Sequence, residues 1–113
     1  MTPPDSSRAP RLVLTTAPDL DVGRRLARLL VDARLAACVN LVPGAVSLFR
    51  WEDQVQEQAE VLVVCKTTTD CLVALEAKLL AAHPYDCPEL VVIAPEAVEP
   101  AYLAWLLASV GPA

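Results

Sequence analysis

Residues 38–65 read CVNLVPGAVSLFRWEDQVQEQAEVLVVC and contain two β-strand patterns joined by a short polar turn. Pro43-Gly44 interrupts the first strand, which predicts a bulge or bend near a sheet edge. Glu52-Asp53-Gln54 predicts the hairpin turn. The second strand begins with polar residues and ends with the apolar run 61–65. We therefore expect the base of a long hairpin to lie in a sheet, with its tip projecting into water or against another chain.

One strand and one helix are predicted before this hairpin. Residues 11–17 form an apolar run that is typical of a buried strand. Asp21 is the predicted N-cap of the helix that follows. The apolar positions of this helix recur with a period near 3.6 residues and define one amphipathic face. They are Val22, Leu26, Leu29, Leu30 and Ala33.

A second helix and strand are predicted after the hairpin, followed by a third helix. Thr67-Thr68-Thr69-Asp70 supplies N-cap residues for the second helix, and residues 90–94 are a continuous apolar strand. Glu99-Pro100 predicts the start of the third helix, because proline is favoured at the first helical position. The order β-α-β, β-α-β, α predicts an α+β fold. We expect a ferredoxin-like split βαβ sandwich with an antiparallel sheet, the long hairpin and an extra C-terminal helix.

Two features of this fold predict self-association. The two predicted sandwich helices cover one face of the sheet, and only the third helix is left for the other face. The long hairpin also leaves strand edges unpaired, which proteins normally cover. A closed oligomer of identical chains would cover both surfaces.

Composition limits the possible partners. The chain has 113 residues with a formal net charge of −5, which argues against binding to nucleic acids or to anionic membrane surfaces. Hydrophobic residues make up 55% of the chain, enough for a packed core. We expect a disordered tail at residues 1–10 and a single domain at residues 11–113. Because no run has the length of a membrane span and the N-terminus lacks a secretory pattern, the chain is expected to be cytoplasmic.

The four cysteines show no C-x-x-C spacing and are expected to be reduced thiols rather than a structural zinc site. They are Cys38, Cys65, Cys71 and Cys87.

Residues 83–89, HPYDCPE, concentrate chemically active side chains in a stiff connection between a helix and a strand. Pro84 and Pro88 restrict the backbone of the residues before them, so the polar side chains are held in fixed directions. One interpretation is a proline-rich turn with a structural role only. The other is a functional loop, in which His83, Asp86 and Cys87 are candidate metal ligands.

An acid–base pocket is a further possibility. Lys66 ends an apolar strand, and Tyr85 and Glu89 flank the start of another, so Lys66 and Glu89 are predicted to face one cleft. The chain has neither a phosphate-binding glycine loop nor a complete catalytic motif. The two tryptophans, Trp51 and Trp105, are expected to anchor packing or an interface.

Several short motifs together resemble the CutA family of divalent-cation tolerance proteins. The resemblance runs in order from about residue 11 to residue 110. The motifs are Thr16-Ala17-Pro18-Asp19, Leu35-Ala36-Ala37-Cys38, Pro43-Gly44 with Trp51-Glu52, Lys66-Thr67-Thr68, His83-Pro84-Tyr85 with Pro88-Glu89-Leu90, and Tyr102-Leu103 with Trp105-Leu106.

This resemblance implies a homotrimer with an architecture similar to that of PII signalling proteins. It implies a role in tolerance of divalent cations, weak binding of Cu(II) or another divalent cation, and no obligatory cofactor. It also implies a set of residues around a cleft between subunits: Cys38, Trp51, Glu52, Lys66, His83, Tyr85 and Glu89. The chain departs from the family's copper-binding pattern at Thr15 and Ala82, where the family has cysteine and histidine. His83 and Cys87 then remain as the predicted metal contacts.

Three functions therefore remain open at the level of sequence. The first is a non-enzymatic, trimeric cation-tolerance protein. The second is a module that senses small molecules or partner proteins in clefts between subunits, with Lys66 and Glu89 as polar anchors. The third is an enzyme that uses Lys66, Tyr85 and Glu89.

Overall fold

The structure is a computed structural model that describes residues 8–112. Seven main elements follow one another along the chain. They are β1 (Pro10–Ala17), α1 (Leu20–Asp32), β2 (Cys38–Trp51), β3 (Gln54–Thr68), α2 (Leu72–Ala82), β4 (Val91–Ile93) and α3 (Pro100–Ser109). The order is the predicted one.

The four strands form one antiparallel sheet in the order β2-β3-β1-β4. β3 lies between β1 and β2 and thereby splits the first β-α-β unit, and β1 lies between β3 and β4 and splits the second. This arrangement confirms the predicted ferredoxin-like α+β fold. In the described part of the chain no helix is long and apolar enough to cross a membrane.

The hairpin of β2 and β3 extends beyond the rest of the sheet. β1 pairs with β3 only from residue 61 to residue 68, so residues 45–60 pair only with each other. We call residues 45–60 the hairpin arm. The register shifts between Val42 and Ala45, where Gly44 has φ +88°, which confirms the bend predicted at Pro43-Gly44. At the tip, Glu52 and Asp53 both have positive φ, as two-residue hairpin turns commonly require.

The core lies between one face of the sheet and helices α1 and α2. We call this face the covered face and the opposite one the open face. Alternation along the strands places Val13, Val63 and Cys65 on the covered face, where they are fully buried. Leu26 and Leu30 of α1 and Leu75 and Leu79 of α2 pack into the same core.

Two helix starts differ from the sequence prediction. The N-cap of α1 is Asp19 rather than Asp21, because the Asp19 backbone is extended and its carboxylate accepts the Val22 N–H at 2.9 Å. Thr67 and Thr68 do not cap α2 but end β3, and a short 3-10 turn at Thr69–Cys71 leads into the helix. The predicted start of α3 is confirmed, since Pro100 is its first residue.

The two ends of the domain meet at the C-terminus of α3. Arg8 donates a hydrogen bond to the Leu107 carbonyl at 2.6 Å, and Arg34 donates to the carbonyls of Ala108 and Gly111 at 2.8 and 2.6 Å. These guanidinium groups satisfy carbonyls that a helix end leaves without partners. Of the predicted tail, residues 1–7 lie outside the described part of the chain, while Arg8 makes these contacts and Pro10 already belongs to β1.

Candidate functional site

A groove of about 940 Å³ lies on the open face, between the hairpin arm and the loop 84–89. The arm forms one wall, the loop forms the other, and β1 contributes Thr16. The lining residues from β1 and the arm are Thr16, Val46, Ser47, Leu48, Phe49, Trp51, Gln56, Gln58 and Glu60. The lining residues from the loop are Pro84, Tyr85, Asp86, Cys87, Pro88 and Glu89. Its size is within the range of sites that hold small ligands.

Glu60 is the least exposed carboxylate of the groove, with 8% of its surface accessible. The Tyr85 hydroxyl donates to its Oε2 atom at 2.7 Å. Burial raises the pKa of the Glu60 carboxyl, but hydrogen bonds from Ser47, Tyr85 and Thr16 outweigh burial and leave this pKa below its ordinary value of 4.5. Glu60 is therefore ionised at neutral pH and carries a negative charge into the groove.

The pKa of Tyr85 shifts in the opposite direction to that of Glu60. Burial, together with the hydrogen bond and the charge of Glu60, raises the pKa of Tyr85 above its ordinary value of 10. Tyr85 is thus a neutral hydrogen-bond donor at neutral pH.

His83 lies beneath the loop and ties it to β1. Its Nε2 atom is 2.7 Å from the Thr16 carbonyl oxygen, and the Tyr85 backbone N–H donates to its Nδ1 at 3.1 Å. A carbonyl can only accept and a backbone N–H can only donate, so these partners select the neutral ring with its proton on Nε2. The Tyr85 ring packs against this imidazole with 4.7 Å between centroids. Both nitrogens of the only histidine are therefore occupied by hydrogen bonds.

The groove carries acidic and aromatic groups but has no lysine or arginine in its lining. Asp86 and Glu89 add two exposed carboxylates to Glu60, and Phe49, Trp51 and Tyr85 supply the aromatic surface. No ion pair within 4 Å joins Glu60 to a basic group in residues 8–112. This combination attracts cations and disfavours anions.

Some of the predicted site residues meet in the groove and others do not. Trp51, Tyr85, Cys87 and Glu89 line it, with His83 directly beneath. Glu52 lies in the turn at the hairpin tip.

Cys38 and Lys66 lie at the other end of the sheet, where they are paired across β2 and β3. Lys66 is four residues along β3 from Leu62, the partner of Thr16, which corresponds to about 13 Å. The Lys66 amine donates to the side chain of Asn40. Lys66 and Glu89 therefore do not share a cleft within one chain. A cleft that two chains would build together stays a prediction.

The residues present make only part of a metal site. Among residues 8–112 no three or more histidine, cysteine, aspartate or glutamate side chains are grouped so that they could hold one ion. Cys87 is an exposed free thiol, whereas each nitrogen of His83 already has a partner. One chain thus offers cation-attracting groups but not the three or four fixed ligands of a tight site.

The sequence interpretation missed Glu60, Thr16 and Ser47. Glu60 was assigned only to the polar start of a strand, because two of its hydrogen-bond partners, Tyr85 and Thr16, are 25 or more residues away from it in the sequence. One local signal was available: Glu60 directly precedes the buried run of β3 and shares a face with Leu62 and Val64. A carboxylate in that position requires hydrogen-bond donors from neighbouring strands.

Comparisons with known proteins agree with this architecture. Residues 11–109 match a family described as CutA1 divalent ion tolerance protein. The divalent-cation tolerance protein CutA of Thermus thermophilus is 43% identical over 100 residues, which cover 88% of this chain and 97% of the relative. The protein of the same name from Pectobacterium atrosepticum is 46% identical over 98 residues, covering 87% and 89%.

Solved structures give the same picture. The divalent cation tolerance protein Cut A1 of Thermus thermophilus superposes with a TM-score of 0.87 at 42% identity and covers 90% of this chain and 99% of its own. CutA1 of Oryza sativa superposes with a TM-score of 0.88 at 38% identity and covers 96% and 100%.

Proposed function

Since the chain belongs to the CutA1 divalent ion tolerance family, we propose that it acts in the tolerance of divalent cations as a self-associating, non-enzymatic protein. In this proposal the groove on the open face binds such cations weakly and reversibly. Cu(II) is the leading candidate ion. The observation that carries the proposal is the chemistry of the groove, whose lining has three carboxylates and one thiol but no basic side chain.

The carboxylates act through charge as much as through coordination. Glu60 is ionised and lies at low exposure, where its field is less screened by water than that of a surface carboxylate. Asp86 and Glu89 lie on the loop wall and are free to turn towards an ion. A divalent cation entering the groove is attracted by all three groups, whereas a phosphate-bearing ligand is repelled.

Cys87 and His83 are the proposed soft ligands, and they differ in what binding requires of them. The thiol of Cys87 is exposed and needs only to lose its proton. His83 would first have to give up its hydrogen bond to either Thr16 or Tyr85. This requirement supports weak binding by a single chain. It also leaves room for ligands from a second subunit to complete the site.

Self-association forms part of the proposal because the open face and the arm expose apolar side chains. Val42, Val91 and Ile93 on the sheet are 40–47% exposed, and Val46 and Leu48 on the arm exceed 60%. Both edge strands, β2 and β4, also lack a second neighbour in the sheet. A homotrimer with a PII-like arrangement would cover these surfaces and place the groove beside a subunit contact.

Calorimetric titration with Cu(II) tests the cation proposal. Cys87→Ser and Glu89→Gln change exposed groups and should leave the fold intact while each lowers the affinity by about 5- to 20-fold, equivalent to roughly 1–2 kcal/mol. Glu76→Gln is the matched control, because it removes an exposed carboxylate from α2, outside the groove. Equal affinities in all four proteins would refute the groove as the cation site.

A second candidate function is supported by the size and aromatic wall of the groove, which suit a small organic cation. In this version the protein is a sensor, and Phe49, Trp51 and Tyr85 would contact the ligand. A thermal-shift screen distinguishes the two versions. Stabilisation by an organic cation but not by divalent metal ions favours the sensor.

A further inference from the structure

A basic depression lies on the helical side of the molecule, away from the groove. It has a volume of about 610 Å³ and is lined by Arg24, Arg25 and Arg28 of α1 together with Leu29 and Ala82. All three arginines are exposed. Ala82 is the last residue of α2, so the depression lies where the two helices meet.

The charge of this depression is opposite to that of the chain as a whole. The formal net charge is −5, yet three of the nine basic residues lie within five positions of one helix. Lys78 precedes Ala82 by four residues and adds a positive charge on the same side of α2. No aspartate or glutamate belongs to the lining.

Two of the guanidinium groups have no partner in residues 8–112. Arg25 and Arg28 make neither a hydrogen bond nor an ion pair there. Arg24 is 3.8 Å from Asp21, but both side chains are largely exposed, so this pair holds Arg24 only weakly. The three groups are therefore available to an external anion.

The spacing of the arginines carries a cost for the helix. Arg24 and Arg28 are four residues apart and Arg25 and Arg28 are three apart, so their side chains are neighbours on the helix surface. Like charges at these spacings destabilise a helix. An anion bound between these guanidinium groups would replace their mutual repulsion with attraction to the anion.

We propose that this depression docks an acidic segment of a partner protein that carries an apolar side chain among its carboxylates. The fork of each guanidinium matches a carboxylate, and Leu29 and Ala82 supply an apolar floor for the side chain between them. The depression is bordered by exposed side chains on two helices rather than enclosed, which suits an extended peptide. Nucleic acid is disfavoured because the rest of the chain is acidic.

The location makes this docking compatible with the proposed groove. α1 and α2 cover one face of the sheet, whereas the groove opens on the other. A partner on the helices would leave the open face free for self-association and for cations. Failure of either proposal therefore does not imply failure of the other.

Fluorescence anisotropy with the full chain and a labelled Glu-rich peptide carrying one central Leu tests the proposal. We expect saturable binding that weakens as NaCl is raised. The double variant Arg25→Gln/Arg28→Gln should weaken binding by about tenfold or more. The matched control Arg11→Gln/Arg50→Gln removes the same charge from β1 and the arm and should bind like the parent protein.

Three results would overturn the proposal. They are absence of saturable binding, equal weakening by both double variants, and displacement of the peptide by inorganic phosphate at concentrations similar to that of the peptide. The last result would identify a small-anion site instead of a peptide site. Thermal melts of both double variants check that each is folded, which is expected because Arg25, Arg28 and Arg50 are exposed, Arg11 is partly exposed and none of the four belongs to the core.

Discussion

The two faces of the sheet are built from the same strands but differ in what they leave to solvent. On the covered face Val13, Val63 and Cys65 are completely buried beneath α1 and α2. On the open face and the arm, Leu48 is 65% exposed and Trp51 is 45% exposed. Apolar residues on one face stabilise the single chain, whereas those on the other are available for contacts between chains.

Polar groups show the same contrast. On the covered face the Thr67 hydroxyl is buried and donates to the Leu35 carbonyl at 2.6 Å, which ties β3 to the turn after α1. On the open face Glu60 and Tyr85 form a hydrogen bond at the floor of a groove. The buried polar group is structural in the first case and places a negative charge at the groove in the second. The comparison therefore connects one face with folding and supports the proposal that the other face binds ligands.

The largest expected effect comes from truncation on the covered face. Leu75→Ala removes a fully buried side chain, and the cavity should lower the free energy of unfolding by about 3 kcal/mol. Urea denaturation at fixed protein concentration measures it. Val73→Ala is the control on the same helix, because Val73 is 83% exposed and should change stability by less than about 0.5 kcal/mol. Equal losses of unfolding free energy in the two variants would contradict the distinction between buried and exposed positions.

The second effect concerns assembly. If the arm joins subunits, Trp51→Ala should weaken association by about 2 kcal/mol, as expected for an aromatic anchor of an interface. Sedimentation across a dilution series would then show dissociation at higher concentrations than for the parent protein. Arg50→Ala, at the neighbouring exposed position, should have little effect. An unchanged dissociation curve for Trp51→Ala would mean that the arm does not hold the subunits together.

The smallest effect is the response to acid. The pKa of Glu60 is lowered in the folded state, so its contribution to stability is present above its unfolded pKa and is lost as pH falls through the lower folded value. Tyr85→Phe removes one of the hydrogen bonds that lower this pKa. The folded-state pKa of Glu60 should therefore shift towards its unfolded value, so that the variant is less stable at neutral pH but loses less stability on acidification than the parent protein.

Thermal melts between neutral pH and about pH 3 measure this shift. Tyr102→Phe is the control, because Tyr102 is an exposed tyrosine on α3 and is not among the partners of Glu60. Identical acid profiles for Tyr85→Phe and the parent protein would show that the hydrogen bond does not stabilise the ionised carboxylate.

Much of the fold follows from local sequence patterns. The periodicity of α1, the alternation in the hairpin, the bend at Pro43-Gly44 and the proline at the start of α3 each depend on neighbouring residues. The exceptions are element ends. Asp19 and Asp21 both lie near the start of α1, and only the backbone conformation decides which carboxylate reaches the Val22 N–H. The last strand was predicted at residues 90–94 and is observed at Val91–Ile93, since pairing with β1 sets its length.

The site was predictable only where its residues are close in sequence. The loop 83–89 was identified because two prolines, a histidine and several polar groups occur together. Glu60 and Thr16 reach the same groove from distant strands, and no local pattern specifies that convergence. Within one chain, Lys66 illustrates the opposite error. Its position at the end of a strand was interpreted as proximity to Glu89, but the register places it beside Cys38 and Asn40.

The most direct test of the open face as the functional surface is an NMR titration with Zn(II), a diamagnetic substitute for Cu(II). The two indole N–H signals provide an internal comparison, because Trp51 lines the groove and Trp105 lies on α3 outside it. We predict saturable shifts for the Trp51 indole and for the backbone amides of Tyr85, Asp86, Cys87 and Glu89, with the Trp105 indole unchanged. Shifts confined to other regions, or no saturable shift in the groove, would contradict the proposed cation site.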